Sequence, residues 1–240
     1  MVEVPGGEFE MGSNAFSNEQ PIRQVWVDTF WIDETEVTVE AYKECVDAGV
    51  CTEPSTGTYC NWSQGGPVAG RENHPVNCVS WFQAEAYCEW VQGGTKRLPT
   101  EAEWEKAARG TDGRVYPWGD TPQPSCDRLV MSDAAAGGAG CGTGATWEVG
   151  SMPLGASPYG VQDMAGNVWE WVADWYGYYD AGETNNPVGP RNGTSRVLRG
   201  GSWFFDFTSI FRAAYRDSND PTDSGNGVGL RCARTPSAAQ

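Results

Sequence analysis

KRLPTEAEWEKAARG, residues 96–110, is the stretch whose reading decides the fold. Thr100 followed by Glu103 is a capping box, in which hydroxyl and carboxylate each satisfy an amide left orphaned at a helix start. Pro99 precedes the cap, Trp104, Ala107 and Ala108 recur at helical spacing as an inward stripe, and Gly110 is a stop. Just upstream the same grammar recurs. Ser80 with Gln83 opens a second helix whose Trp81, Ala84, Cys88 and Val91 share one face, and Gly93-Gly94 closes it. That face turns the Cys88 thiol into the core, toward whichever late segment packs there. Thr38 caps another short helix over residues 39–48, ended by Gly49.

Outward from the helices the pattern changes. The first 37 residues alternate around Val25-Trp26-Val27 and Phe30-Trp31-Ile32 and read as strands. Residues 51–77 and 111–160 are rich in Gly, Pro and turn formers and read as loops, with short strands expected near Val161, 168–172, 196–198 and 229–231. With 31 Gly and 15 Pro, helical repeats and coiled coils are poor candidates. A chain of 240 residues buries a real core, and no repeat or linker divides it, so one domain over 1–240 is expected.

Charge and cysteine content narrow the function classes. A net charge of -16 repels phosphate backbones and argues against nucleic-acid binding, while suiting metal cations, cationic partners or plain solubility. No stretch approaches the ~18 apolar residues of a membrane span, and the opening MVEVPGGEFEMGS reads as strand and turn without a signal-peptide pattern. The eight cysteines include no Cys-x-x-Cys pair and His74 is the only histidine, which argues against a zinc site. An oxidised framework in a secreted, periplasmic or cell-surface protein is the better reading.

Several segments carry a resemblance in a fixed order: PGGEFEMGS (5–13), ETEVT (34–38), HPVNCVSW (74–81), the 96–110 helix, YPWGD (116–120), YGVQDMAGNVWEW (159–171), RVLRGGSW (196–203) and GLRCAR (229–234). Together they resemble the formylglycine-generating-enzyme, or sulfatase-modifying factor, family over nearly the whole chain. The resemblance implies an α+β fold of the C-type-lectin type: a small distorted antiparallel sheet among irregular loops and the two capped helices. It also implies a Cys88–Cys232 disulfide. Proximity in sequence then suggests Cys45–Cys51 and Cys126–Cys141, leaving Cys60–Cys78, although spacing alone does not fix connectivity.

The family's chemistry is not expected here. It uses two copper-binding thiols shortly after the RGGS segment, and by position Phe205 and Ile210 stand in their places. No cysteine lies between Cys141 and Cys232, so no copper is expected. A second branch of the fold holds iron with histidines, which His74 alone cannot supply. No Gly-x-Ser-x-Gly elbow, phosphate loop or dinucleotide fingerprint is present. A catalytic triad would have to recruit His74, whose expected role is a structural hydrogen bond.

Two features stay chemically pointed. By resemblance, Asp163, Gly166, Val168 and Glu170 match a family calcium site, a structural role for hard oxygen donors. The run from Trp203 to Phe211 is either ordinary core or a solvent-facing surface of aromatic anchors among small polar groups. On the second reading Trp203, Phe204, Phe205, Asp206, Phe207, Ser209, Ile210, Tyr215, Asp217, Asn219 and Asn226 bind a protein or small-molecule ligand. That region also resembles the variable segment of proteins diversified by adenine-mutating retroelements, which use this fold for display. Residues 204–210 and 217–220 contain only Phe, Asp, Thr, Ser, Ile and Asn. A non-catalytic recognition domain is the leading expectation; an atypical formylglycine-generating oxidase and a structural module of a secreted assembly are the others.

Overall fold

Three α-helices form where the caps predict them in the computed structural model, which describes residues 1–236: α1 (Val39–Asp47), α2 (Trp81–Gly94) and α3 (Glu101–Arg109). Thr38 accepts from the Ala41 amide, and the capping boxes of Ser80 with Gln83 and Thr100 with Glu103 are both complete. Helix α2 loses its regular backbone earlier than Gly93: Val91 has ψ 142°, and Gln92 and Gly93 have positive φ. Val91 is therefore half-buried, while Trp81, Ala84, Tyr87 and Cys88 face the core. Among the described residues no helix is long and apolar enough to cross a membrane.

The strands are short. They are β1 (Val2–Val4), β2 (Gly7–Met11), β3 (Arg23–Val27), β4 (Phe30–Ile32), β5 (Trp62–Ser63) and β6 (Gly66–Pro67), then β7 (Trp169–Trp175), β8 (Arg196–Arg199), β9 (Asp217–Asn219), β10 (Val228–Gly229) and β11 (Ala233–Arg234). They form sheets ordered β10-β7-β8-β9, β1-β4-β11, β2-β3 and β5-β6. The largest sheet is mixed, because β10 runs parallel to β7; the expectation of a purely antiparallel sheet is corrected there. A register shift between Trp171 and Trp175 supplies the distortion. Val161 lies in no strand; its carbonyl instead closes a turn by accepting from the Ser157 amide.

Helix α3 departs most from its sequence pattern. The apolar stripe of Trp104, Ala107 and Ala108 is buried, but so are Glu101, Glu103, Glu105, Lys106 and Arg109. Chain packs on every side of α3, so each charge must find a partner inside. Glu105 pairs with Arg199 at 2.7 Å and Arg109 at 3.0 Å, and accepts from the Gly12 amide at 2.8 Å. Arg216 grips Glu101 through Nε and Nη2 at 2.8 and 2.6 Å. Lys106 donates to the carbonyls of Gly7 and Val27, stitching β2 and β3 to the helix. Removing one member of such a pair leaves an uncompensated buried charge, a cost of roughly 3–5 kcal/mol.

All eight cysteines are paired, as Cys45–Cys51, Cys60–Cys78, Cys88–Cys232 and Cys126–Cys141. The Cys88 face of α2 meets the late segment at Cys232, next to β11. Four crosslinks indicate an oxidising compartment.

Asp174, near the end of β7, accepts from the Glu101 amide at the start of α3. Burial, reinforced by the Glu101 carboxylate, pushes its pKa from 3.8 up to about 8. The folded chain then keeps a proton that the unfolded chain releases, so this group lowers stability as pH rises from about 4 to 8. Asp174→Asn keeps an acceptor for the Glu101 amide and removes the titration. Urea unfolding at about pH 5 and about pH 8 should show the variant losing less stability than the parent across that interval. Equal losses would mean that Asp174 does not hold the proton.

Candidate functional site

Beyond β8 the chain turns at Gly200 and Gly201, with φ of 97° and 83°. A Cβ at Gly201 would lie 2.6 Å from the Phe211 ring, so only glycine lets that ring close over the turn. The aromatic run emerges here as a loop with both feet fixed. Its ends are core: Trp203, Ile210 and Phe211 are buried. Its middle is surface, with Phe204 38% and Phe207 67% exposed, Asp206 exposed, and Phe205 and Ser209 half-buried. The two readings of the run thus apply to different residues, and Ile210 belongs to the core rather than to a binding face.

Trp203 is buried but contributes one side of a surface depression of about 350 Å³, lined also by Tyr59, Ala139, Gly144, Phe204 and Asn226. The aromatic rings continue from it as a connected strip. Tyr59 and Trp203 have centroids 5.4 Å apart, Trp203 and Phe204 5.2 Å, and Phe204 and Phe205 4.4 Å. Phe205 then meets Trp169 at 6.2 Å, Trp169 meets Tyr215 at 6.1 Å, and Tyr215 meets Phe16 at 5.7 Å. Arg212 lies over Phe16 and Tyr215 and is held by both oxygens of Glu19. Trp169, like Trp203, is buried, so Tyr59, Phe204 and Phe16 are the rings that present rigid apolar area, supported from beneath by the others.

Asn226 reaches the depression because its carbonyl accepts from Asn77 Nδ2 at 2.6 Å and Trp203 Nε1 at 3.3 Å. Asp217 and Asn219 do not line it. They sit on β9, the edge of the largest sheet, opposite Leu198 and Arg196. Sequence reading missed Tyr59, Phe16 and the 139–144 wall. Tyr59 had a signal: it adjoins Cys60, whose disulfide brings it to Cys78. Phe16 carried none.

At the segment matched to calcium, Asp163 and Asn167 hold positive φ, and Asp163 accepts from the Gly150 amide at 2.6 Å. Glu170 gives its oxygens to Arg231 at 2.7 Å and one of them also to Trp104 Nε1. Among the described residues, no three His, Cys, Asp or Glu side chains are grouped closely enough to hold an ion as they stand. The charge balance nevertheless fits a divalent cation. Three buried carboxylates, Glu36, Asp163 and Glu170, face one buried guanidinium, Arg231. Glu170 is taken by Arg231, whereas among the described residues Asp163 and the neighbouring Glu36 are in no ion pair, Glu36 accepting only from Asn167 Nδ2 and the Val168 amide.

The sequence and the fold are both matched by known proteins. A family model for the sulfatase-modifying factor enzyme 1-like domain covers residues 1–236. The chain belongs to this family. The formylglycine-generating enzyme of Streptomyces coelicolor is 37% identical over 283 residues, spanning 97% of this chain and 88% of its own. The inactive C-alpha-formylglycine-generating enzyme 2 of Bos taurus is 34% identical over 281 residues, spanning 97% and 87%. Among solved structures, Treponema denticola variable protein 1 superposes with a TM-score of 0.78 at 26% identity, covering 98% of this chain and 95% of that one.

Where the resemblance to formylglycine-generating enzymes puts two thiols, this family member has Phe205, packed between Phe204 and Trp169, and the buried Ile210. Every cysteine is in a disulfide, so no thiol is free for copper. His74 Nδ1 lies 2.9 Å from Thr146 Oγ1, the structural hydrogen bond expected of it.

The split of the run has a direct thermodynamic reading. Phe204→Ala and Phe207→Ala should each change stability by no more than about 1 kcal/mol, as exposed positions do. Phe211→Ala, which empties a fully buried site, should cost about 3–5 kcal/mol in urea unfolding. Comparable losses at all three would place the whole run in the core.

Proposed function

We propose that the protein is a non-catalytic ligand-recognition domain of a secreted, periplasmic or cell-surface protein. The observation that carries this is the connected strip from Tyr59 to Phe16, with Phe204 and Phe207 exposed on the loop whose Phe205 and Ile210 stand in place of the family's catalytic thiols. Exposed aromatics anchored on a rigid scaffold are the side chains that dominate binding energy at interfaces. The inactive Bos taurus relative supports loss of catalysis on this scaffold, and the Treponema variable protein supports its use for display. The specific version is a retroelement-diversified receptor, whose variable positions would be the exposed residues of 204–209. The similarity to active formylglycine-generating enzymes favours an atypical oxidase instead, but that chemistry needs a free thiol pair.

A random-peptide phage library panned on the intact chain supplies probes whose selected peptides are then synthesised. Phe204→Ala, Phe205→Ala and Phe207→Ala combined should weaken those peptides by at least about tenfold while the melting temperature stays near the parent's. Unchanged affinity removes the aromatic face from recognition, and an unfolded variant makes those rings core.

We also infer a structural calcium ion at the 163–170 turn, with Asp163, Gly166 and Val168 as expected and Glu36 replacing Glu170. What supports it is the excess of buried carboxylate over guanidinium there. Millimolar calcium added to chelator-treated protein should raise the melting temperature, and Asp163→Asn should blunt the rise. An unchanged melting curve rules the ion out.

A further inference from the structure

The 139–147 segment walls a second depression, larger than the aromatic one at about 520 Å³. Arg71, His74, Thr143, Trp147, Glu148 and Ser151 line it, and the recognition strip uses none of them. Three of these side chains are positioned from behind by buried asparagines. Asn61, fully buried, accepts from Arg71 Nη1 at 2.9 Å and donates Nδ2 to Thr146 Oγ1 at 2.9 Å. The same hydroxyl lies 2.9 Å from His74 Nδ1 and holds the ring from behind. Burial, and then the Arg71 charge, lower the His74 pKa, which keeps the ring neutral.

Trp147 is fixed the same way. Its indole Nε1 donates to the Gly140 carbonyl at 2.9 Å, and its backbone amide donates to Asn167 Oδ1 at 3.0 Å. Arg71 takes part in none of the ion pairs formed among the described residues. In a chain with 32 acidic and 16 basic residues, a half-buried arginine without a carboxylate is a charge left for something else. A guanidinium, an imidazole and an indole, all held in advance, lower the entropic cost of binding a ligand that matches them.

We infer that this depression binds a carboxylate carried on a planar or apolar body. Arg71 and His74, the latter in its Nε2–H tautomer, take the oxygens, and the Trp147 indole takes the body. Glu72 and Glu148, both exposed and both near His74, repel further negative charge and so select a monoanion over phosphate. This inference stands apart from the aromatic face, so either can fail alone.

Ligand-detected NMR titration of the intact chain with benzoate, benzamide and inorganic phosphate tests it. Benzoate should bind saturably, with benzamide and phosphate weaker by at least about tenfold. Arg71→Gln should weaken benzoate by about tenfold or more, and Glu148→Gln, at an exposed position, should tighten it severalfold. Benzamide or phosphate binding as well as benzoate overturns the proposal, as does a folded Arg71→Gln variant of unchanged affinity. If Arg71→Gln fails to fold, Glu148→Gln decides, and no tightening there overturns the proposal.

Discussion

The buried pairing of α3 carboxylates with arginines from the last third of the chain is the interaction on which the rest of the structure depends. Glu105 holds Arg199 at the end of β8, and Glu101 holds Arg216 just before β9. Arg199 in turn donates to the carbonyls of Ala213, Ala214 and Tyr215. The excursion between these two arginines therefore leaves and re-enters the core at fixed points. A pair of this kind adds little net stability over apolar packing, since desolvation offsets most of the attraction, but it penalises any arrangement that separates the partners. Positional certainty is what the aromatic loop inherits from it.

The two depressions owe their form to a similar economy. Their common wall is closed by the Cys126–Cys141 crosslink and by Trp147, while Asn61 and Asn167 orient side chains from beneath. Asn167, from the MAGN turn, serves the wall and also donates to Glu36 beside the calcium candidate. One short motif thus supports both the acidic turn and the groove, which makes the family's ordered segments intelligible as packing rather than as catalytic equipment.

The helices were legible in the sequence because caps are local: a hydroxyl, a carboxylate or amide three residues on, and a glycine stop operate within one turn. Cys88's partner was legible through family resemblance, and the inward helical face agreed with it. The charge burial on α3 was not, because EAEWEKAAR reads as an amphipathic helix unless other chain segments are known to cover its polar side. The pairing of Glu170 with Arg231 was hidden for the same reason: its partner lies 61 residues away. Ile210 and Phe207 share a run and look alike in sequence, yet a single 3-10 turn over Thr208–Phe211 sends one inward and leaves the other in solvent. Tyr59 and Phe16 join the strip from distant loops, contacts that no window along the chain contains.

The aromatic loop is held through main chain: the Phe205 carbonyl accepts from the Ser132 amide, the Phe205 amide donates to the Ser202 carbonyl, and the Trp203 carbonyl accepts from the Gly140 amide of the wall. Backbone anchoring is indifferent to side-chain identity. Folding therefore depends on arginines and glycines at the loop's feet, and the exposed rings between them are free to vary without disturbing it. The loop's outward face can therefore be exchanged as an insert, with the frame around it unchanged.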